Sequence, residues 1–159
     1  MEFFGLWGEC LGHSLSPEIH ARIYELMSVP AAYKLMEIPK DRLGEAAAAL
    51  RLLSLGGVNV TIPYKEAVLP FLDEVDPLAL RLRAVNTVKN AGGILKGYNT
   101  DVYGFERMLA FHGLFAPGEE AVILGSGGAA RGAAAALLRL GAGKVSMVSR
   151  SPRGKSPLP

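Results

Sequence analysis

Gly125-Ser126-Gly127-Gly128-Ala129-Ala130 lies between a continuous apolar run, Ala121-Val122-Ile123-Leu124, and an alanine-rich stretch from Ala129 to Leu140. Glycines directly after a strand let the backbone turn sharply and approach a pyrophosphate. The helix that follows points its first N–H groups at the anion. The glycine spacing alone is weak in a chain with 19 glycines, but the flanking strand and helix supply the context the fingerprint needs. Lys144 to Val148 reads as the next strand, so this stretch is one complete βαβ unit. The second strand of such a unit ends at the residue that reads the adenosine ribose. NAD sites place a carboxylate there, whereas this chain has Ser149-Arg150-Ser151 with Arg153 close behind. A guanidinium pairs with a 2′-phosphate through charge-assisted hydrogen bonds, and a carboxylate would repel it. The expected cofactor is therefore NADP, with Gly125, Ser126, Gly127, Gly128 and Ala129 at its pyrophosphate and Arg150 at its adenosine phosphate.

Upstream, strand-like and helix-like segments alternate, which predicts an α/β fold with a mostly parallel sheet. Phe3 to Gly8 reads as a strand. Ser16-Pro17 then starts a helix, with Ser16 as N-cap and Pro17 at the first helical position. Ile19, Ile23, Leu26 and Met27 recur at helical spacing and are expected to face the core. Tyr33 to Ile38 is a second strand. Asp41 is expected to cap a helix with the apolar stripe Leu43, Ala46, Ala47, Leu50 and Leu53, ended by Gly56-Gly57. Val58 to Ile62 reads as a short buried strand stopped by Pro63. Ala84 to Lys89 and Ile94 to Tyr98 form a hairpin around Asn90-Ala91-Gly92-Gly93, and a helix runs from Val102 to His112. The expected organisation is a first domain over 1–101, an incomplete Rossmann domain over 102–150, and a disordered tail over 151–159, rich in Pro, Ser and basic residues.

Half of the residues are hydrophobic, enough for a core. Lys and Arg exceed Asp and Glu by 17 to 15, a balance that suggests neither a nucleic-acid surface nor a membrane surface. No run approaches the roughly 18 apolar residues of a membrane span, and Met1 to Gly5 lacks the pattern of a signal peptide. Cys10 is the single cysteine, which excludes an intrachain disulfide and suits a reducing compartment. A cytoplasmic protein acting on a small molecule is the expectation. His13, His20 and His112 have no metal-ligand spacing, and Gly12 to Ser16 lacks the closing glycine of a nucleophile elbow.

Four polar stretches in the first domain are harder to explain as scaffold: Ser14-Leu15-Ser16-Pro17, Asn59 and Thr61 with nearby Lys65, Ala84-Val85-Asn86-Thr87, and Gly97-Tyr98-Asn99-Thr100-Asp101. Asn59 and Thr61 lie two apart on a strand and so share one face, opposite Val58, Val60 and Ile62. Buried polar groups need partners, and a polar pair at a strand end is expected at a site. Ser16 is explained by capping alone, Asp101 has the same explanation for the next helix, and Lys65 also fits a helix-start surface position. Ser14 has no such explanation. His13 is read as structural, near one end of the site.

Together with Asn59-Val60-Thr61-Ile62-Pro63-Tyr64-Lys65, Gly104-Phe105 and the glycine loop, these stretches resemble the shikimate dehydrogenase family in order and spacing from the first strand to about Arg150. The resemblance implies NADP-dependent reduction of 3-dehydroshikimate to shikimate, a step of aromatic amino acid biosynthesis. It implies that Ser14 and Ser16 hold the substrate carboxylate, and that Asn59, Thr61, Asn86 and Asp101 contact the ring hydroxyls. Lys65 would be the acid–base residue, paired with Asp101. Ser149, Arg150 and Ser151 stand where the family has Asn-Arg-Thr at the adenosine phosphate, with Arg153 close by. Members of the family run well beyond this length, and their C-terminal segment supplies a further glutamine. A single βαβ unit leaves a sheet edge open, so the chain alone is expected to be inactive or to self-associate as a homo-oligomer. The competing expectations are a non-catalytic shikimate-binding remnant and a quinate/shikimate dehydrogenase using NAD.

Overall fold

Alternation along the first strand sets the two faces of the first unit. In the computed structural model, which describes residues 1–150, β1 (Glu2–Gly8) buries Trp7 on one side of the sheet and carries Phe4 and Leu6 on the other. It is followed by α1 (Ser16–Leu26), β2 (Ala31–Glu37), a 3-10 turn (Lys40–Arg42), α2 (Leu43–Leu52) and β3 (Gly57–Val60). Next come α3 (Tyr64–Ala67), a second 3-10 turn (Leu69–Phe71), β4 (Glu74–Val75), α4 (Pro77–Leu82), β5 (Thr87–Ala91) and β6 (Ile94–Tyr98). The tail expected over 151–159, with Ser151 and Arg153, lies outside the described residues.

Six strands form one sheet in the order β2-β1-β3-β5-β6-β4. β1 pairs in parallel with β2 and β3, β4 pairs in parallel with β6, and β5 runs antiparallel to both of its neighbours. This is the mostly parallel α/β sheet that the alternating segments predict. Trp7, Val58, Val60, Val88 and Leu95 are buried along one face, and Phe3, Trp7, Ala46, Ala49 and Leu50 line a common hollow under α2. The other face carries Phe4, Leu6, Tyr33, Asn59 and Thr87, because the register pairs Phe4 with Tyr33, Leu6 with Asn59, and Asn59 with Thr87.

The second unit contains α5 (Asp101–His112), β7 (Glu120–Leu124), α6 (Gly128–Arg139) and β8 (Lys144–Val148), with β7 and β8 paired in parallel. By contacts, the division is residues 1–76 with 85–98 against residues 77–84 with 99 onward. The second unit thus includes α4, ahead of the single boundary expected at 101. Its core explains why, since Leu82 and Ala84 pack with Val102 and Ala136, flanked by Leu78, Phe105 and Ala135. Among the described residues, no helix is long and apolar enough to cross a membrane.

Several local expectations are corrected. Ile19, Ile23, Leu26 and Met27 do not face a core: among the described residues nothing in α1 is buried, and Leu26 is 68% exposed. Helical spacing reports a common face but not what covers it. Leu15 occupies the N-cap position of α1, so Ser16 is the first helical residue. Asp41 sits inside the 3-10 turn and Arg42 takes the N-cap position of α2. After α2, Ser54 takes the left-handed conformation (φ 50°), while Gly57 opens β3. β3 ends at Val60, leaving Ile62 exposed before a cis Ile62–Pro63 bond. The hairpin turn contracts to Gly92-Gly93, whose φ values of 65° and 94° suit a two-residue turn between Ala91 and Ile94.

Candidate functional site

Ser14 and Ser16 stand at the entrance to α1, and the backbone places them together. The Ser14 Oγ accepts from the Ser16 N–H at 3.2 Å, and its hydroxyl donates to Ser16 Oγ at 3.0 Å. Ser14 thus supports the helix start expected of Ser16, and Ser16 Oγ is left at the helix mouth. Both line a hollow of about 590 Å³ with Leu6, Glu9, Cys10, Leu11, His13, Thr61, Ile62 and Pro63. Thr61 is held there by backbone bonds, since its N–H donates to the Trp7 carbonyl at 2.9 Å and its carbonyl accepts from Tyr64 N–H at 2.8 Å.

A second group of polar side chains lies on the sheet face of Phe4 and Leu6, where His20, Tyr33, Asn59 and Thr87 line a separate hollow of about 490 Å³. Tyr33 Oη donates to Asn59 Oδ1 at 2.8 Å, Asn59 Nδ2 donates to Thr87 Oγ1 at 3.3 Å, and Thr87 Oγ1 donates to Asn86 Oδ1 at 3.1 Å. Asn86 is pinned at the strand ends: its carbonyl accepts from Val60 N–H at 2.8 Å, and its N–H donates to the Tyr98 carbonyl at 3.0 Å. Burial raises the Tyr33 phenol to about 12, opposed by a hydrogen bond from Ser16 and helped by nearby Tyr24. The sequence placed Tyr33 only at the start of a strand and set His20 aside among histidines without metal-ligand spacing. A tyrosine at the start of a strand reads as ordinary strand preference, and no spacing rule links it to Asn59.

Lys65 lies in the first turn of α3, half-buried. The turn is anchored on both sides. Tyr64 is buried and its Oη donates to the Ile38 carbonyl, while the Lys65 carbonyl accepts from Val85 N–H at 2.7 Å. Asp101 belongs to the second unit as the first residue of α5. The local capping role falls to Asn99, whose Oδ1 accepts from Asp101 N–H at 3.0 Å and from Val102 N–H at 3.4 Å. Asn99 Nδ2 in turn donates to the Ala84 carbonyl at 2.8 Å.

In the second unit, the chain leaves β7 through Gly125, whose φ of 129° is a conformation L side chains rarely adopt. Gly127 occupies the N-cap position of the 12-residue α6. With no side chain at that position, the first N–H groups of α6 are left for an external acceptor. Among the described residues nothing lies within 4 Å of where a Gly127 Cβ would be. Ser126 Oγ donates to Ser149 Oγ at 3.1 Å, tying the loop to the end of β8, where Arg150 is exposed. A helix mouth open to an anion, with a cation at the end of the next strand, fits the pyrophosphate and adenosine phosphate of NADP.

An α/β domain with a polar site at its strand ends, followed by a strand–glycine loop–helix–strand unit, is the build of proteins that join a small-molecule domain to a nucleotide-binding unit. Residues 6–88, just over half of the chain, match the family model for the shikimate dehydrogenase substrate binding domain. The chain belongs to the shikimate dehydrogenase family. It is 49% identical over 148 residues to a shikimate dehydrogenase (NADP(+)) of Halothermothrix orenii, covering 92% of this chain and 51% of that protein. The crystal structure of shikimate dehydrogenase 1 from Peptoclostridium difficile superimposes with a TM-score of 0.94 at 42% identity, over 98% of this chain and 58% of that one. A shikimate 5-dehydrogenase of Thermus thermophilus, solved in complex with NADP(H) and shikimate, gives a TM-score of 0.89 at 39% identity, over 96% and 57%. The chain therefore spans about half the length of the relatives it matches.

Proposed function

We propose that this chain carries the shikimate-binding domain and the opening of the cofactor domain of an NADP-dependent shikimate dehydrogenase, which interconverts 3-dehydroshikimate and shikimate in the cytoplasm. The observation that carries this reading is the set of hydroxyl and amide groups on this sheet face: Ser14, Ser16 and Thr61 at one hollow, and Asn59 and Thr87, with Asn86 bonded to them, at a second. Such an array suits a small ring with a carboxylate at one end and hydroxyls along its edge. Ser14 and Ser16 turn their hydroxyls onto the carboxylate. Thr61, Asn59 and Asn86 hold the ring oxygens, and the family resemblance assigns Asp101 to the same set.

NADPH, when bound, supplies the hydride. Lys65 donates the proton to the carbonyl oxygen, and its ammonium stabilises the negative charge that develops there. The family resemblance pairs Asp101 with this ammonium and assigns it to orient that group. Gly125 to Ala129 receive the pyrophosphate, and Ser149 and Arg150 the adenosine phosphate. Ser151 and Arg153 are assigned to that phosphate by sequence alone.

Titrating shikimate into the chain by calorimetry, and following shikimate-dependent NADPH formation at high protein concentration, tests the reading. Saturable binding is expected, weakened about 10- to 100-fold by Ser16→Ala through loss of a charge-assisted hydrogen bond. The absence of both binding heat and NADPH formation would refute the proposal. Binding without turnover would restrict this chain to a shikimate-binding role. Arg150→Asp should reduce the preference for NADP+ over NAD+, read as the ratio of dissociation constants, by about 10- to 100-fold. An unchanged ratio would remove Arg150 from the phosphate site.

A further inference from the structure

Tyr33 crosses from one end of the polar array to the other. It sits on β2, yet its phenol reaches over β1 to donate to Asn59 Oδ1 on β3 at 2.8 Å. Its ring lies flat against His20, with centroids 3.9 Å apart and planes 15° from parallel. His20 Nδ1 meets the Ser16 carbonyl at 2.8 Å. One aromatic pair thus ties the serine-bearing turn of α1 to the asparagine on β3. We propose that Tyr33 is a positioning residue for substrate recognition. It acts through Asn59 and fixes which atoms that amide presents to a bound ligand. The inference rests on the proposed shikimate site and deepens it.

A phenol has one proton, and Tyr33 spends it on Asn59 Oδ1. The Asn59 Nδ2 spends one hydrogen on Thr87 Oγ1. Flipping the amide would require the Tyr33 and Thr87 hydroxyl protons, and the Asn86 amide that accepts from Thr87, to reverse with it. A concerted reversal of the whole array is needed where a lone amide would turn freely, so the Tyr33 hydroxyl holds the orientation of Asn59. The second Nδ2 hydrogen then remains for a ligand, and Asn59 is a donor to the site. The ring oxygen in front of it must accept. The direction runs unbroken from Ser14 to Ser16, and again from Tyr33 through Asn59 and Thr87 to Asn86. With the phenol held near 12, its proton stays in place at any ordinary pH.

Tyr33→Phe removes the hydroxyl and keeps the ring on His20. Shikimate and cyclohexene-1-carboxylate, which has the carboxylate but no ring hydroxyls, are titrated into the wild-type chain and the variant by calorimetry. The side-chain amide resonances of Asn59 are followed by NMR in both. The variant should bind shikimate about 10-fold more weakly, bind the hydroxyl-free acid unchanged, and show shifted Asn59 side-chain amide resonances. An equal loss for both ligands would mark Tyr33 as merely structural and overturn the proposal. So would unchanged Asn59 resonances, which judge the orienting role with no ligand present. Failure of the wild-type chain to bind shikimate would refute the functional reading instead. Binding of shikimate by the variant at wild-type strength would refute only the role of Tyr33.

Discussion

Lys65→Ala, in this sequence joined to a complete cofactor domain, should lower shikimate-dependent NADPH formation by about 10²- to 10⁴-fold, the usual contribution of a positioned acid or base. The dissociation constant for shikimate should move far less. The split follows from what Lys65 is assigned to do. Its charge matters most where an oxygen gains negative character, which happens in the transition state and not in bound shikimate. The backbone gives it a fixed platform, because Tyr64 anchors the turn to Ile38 and the Lys65 carbonyl is bonded to Val85 N–H. Truncating the side chain leaves those backbone bonds in place, so the loss should be chemical and not structural. Lys65→Arg should not restore the rate, since a guanidinium keeps its proton and spreads its charge over a plane. Initial rates against shikimate concentration, with calorimetry for binding, check the prediction. An equal fall in rate and affinity would reduce Lys65 to a binding residue.

The parts of the site legible in the sequence are those where one residue type can do the work alone. Gly125 must supply a backbone conformation, and Arg150 a permanent charge after β8; each is visible in a single position and its flanks. Ser14 stood out because no helix-capping role explained it, yet it is Ser14 that bonds the Ser16 N–H. Local hydrogen bonding can be served from either hydroxyl, and spacing does not choose between them. Tyr33 was illegible for a different reason. Its meaning depends on register, because only the pairing of β2 and β3 with β1 brings residues 26 apart in sequence within 2.8 Å. The same limit applies to α4, whose packing partners Val102 and Ala136 come from far along the chain. Strand and helix types were readable from period, and the mostly parallel sheet followed from their alternation. Whether α1 meets a core was not readable, because period carries no information about the partner.

Trp7→Ala should destabilise the first unit by about 3–5 kcal/mol, the cost of emptying a large aromatic site in a packed core. Trp7 is 2% exposed on the inner face of β1, flanked in register by Met36 and Val60. Its register neighbours Met36 and Val60 are held apart by the β2-β1-β3 ladder, so little collapse can refill the space. Against a typical domain stability of about 5–15 kcal/mol this is a large fraction, and a fall in midpoint temperature of about 15 °C or more is expected. Trp7 is the only tryptophan, so the melt must be followed by far-UV circular dichroism, not fluorescence. The effect should reach the site, because the Trp7 carbonyl holds Thr61 N–H and any shift of β1 moves Thr61 with it. Leu26→Ala supplies the contrast. Leucine spacing placed Leu26 in the core, but it is 68% exposed, and its loss should cost under about 0.5 kcal/mol. Equal costs for the two variants would mean that α1 is buried against something in solution and that the packing of the first unit is assigned wrongly.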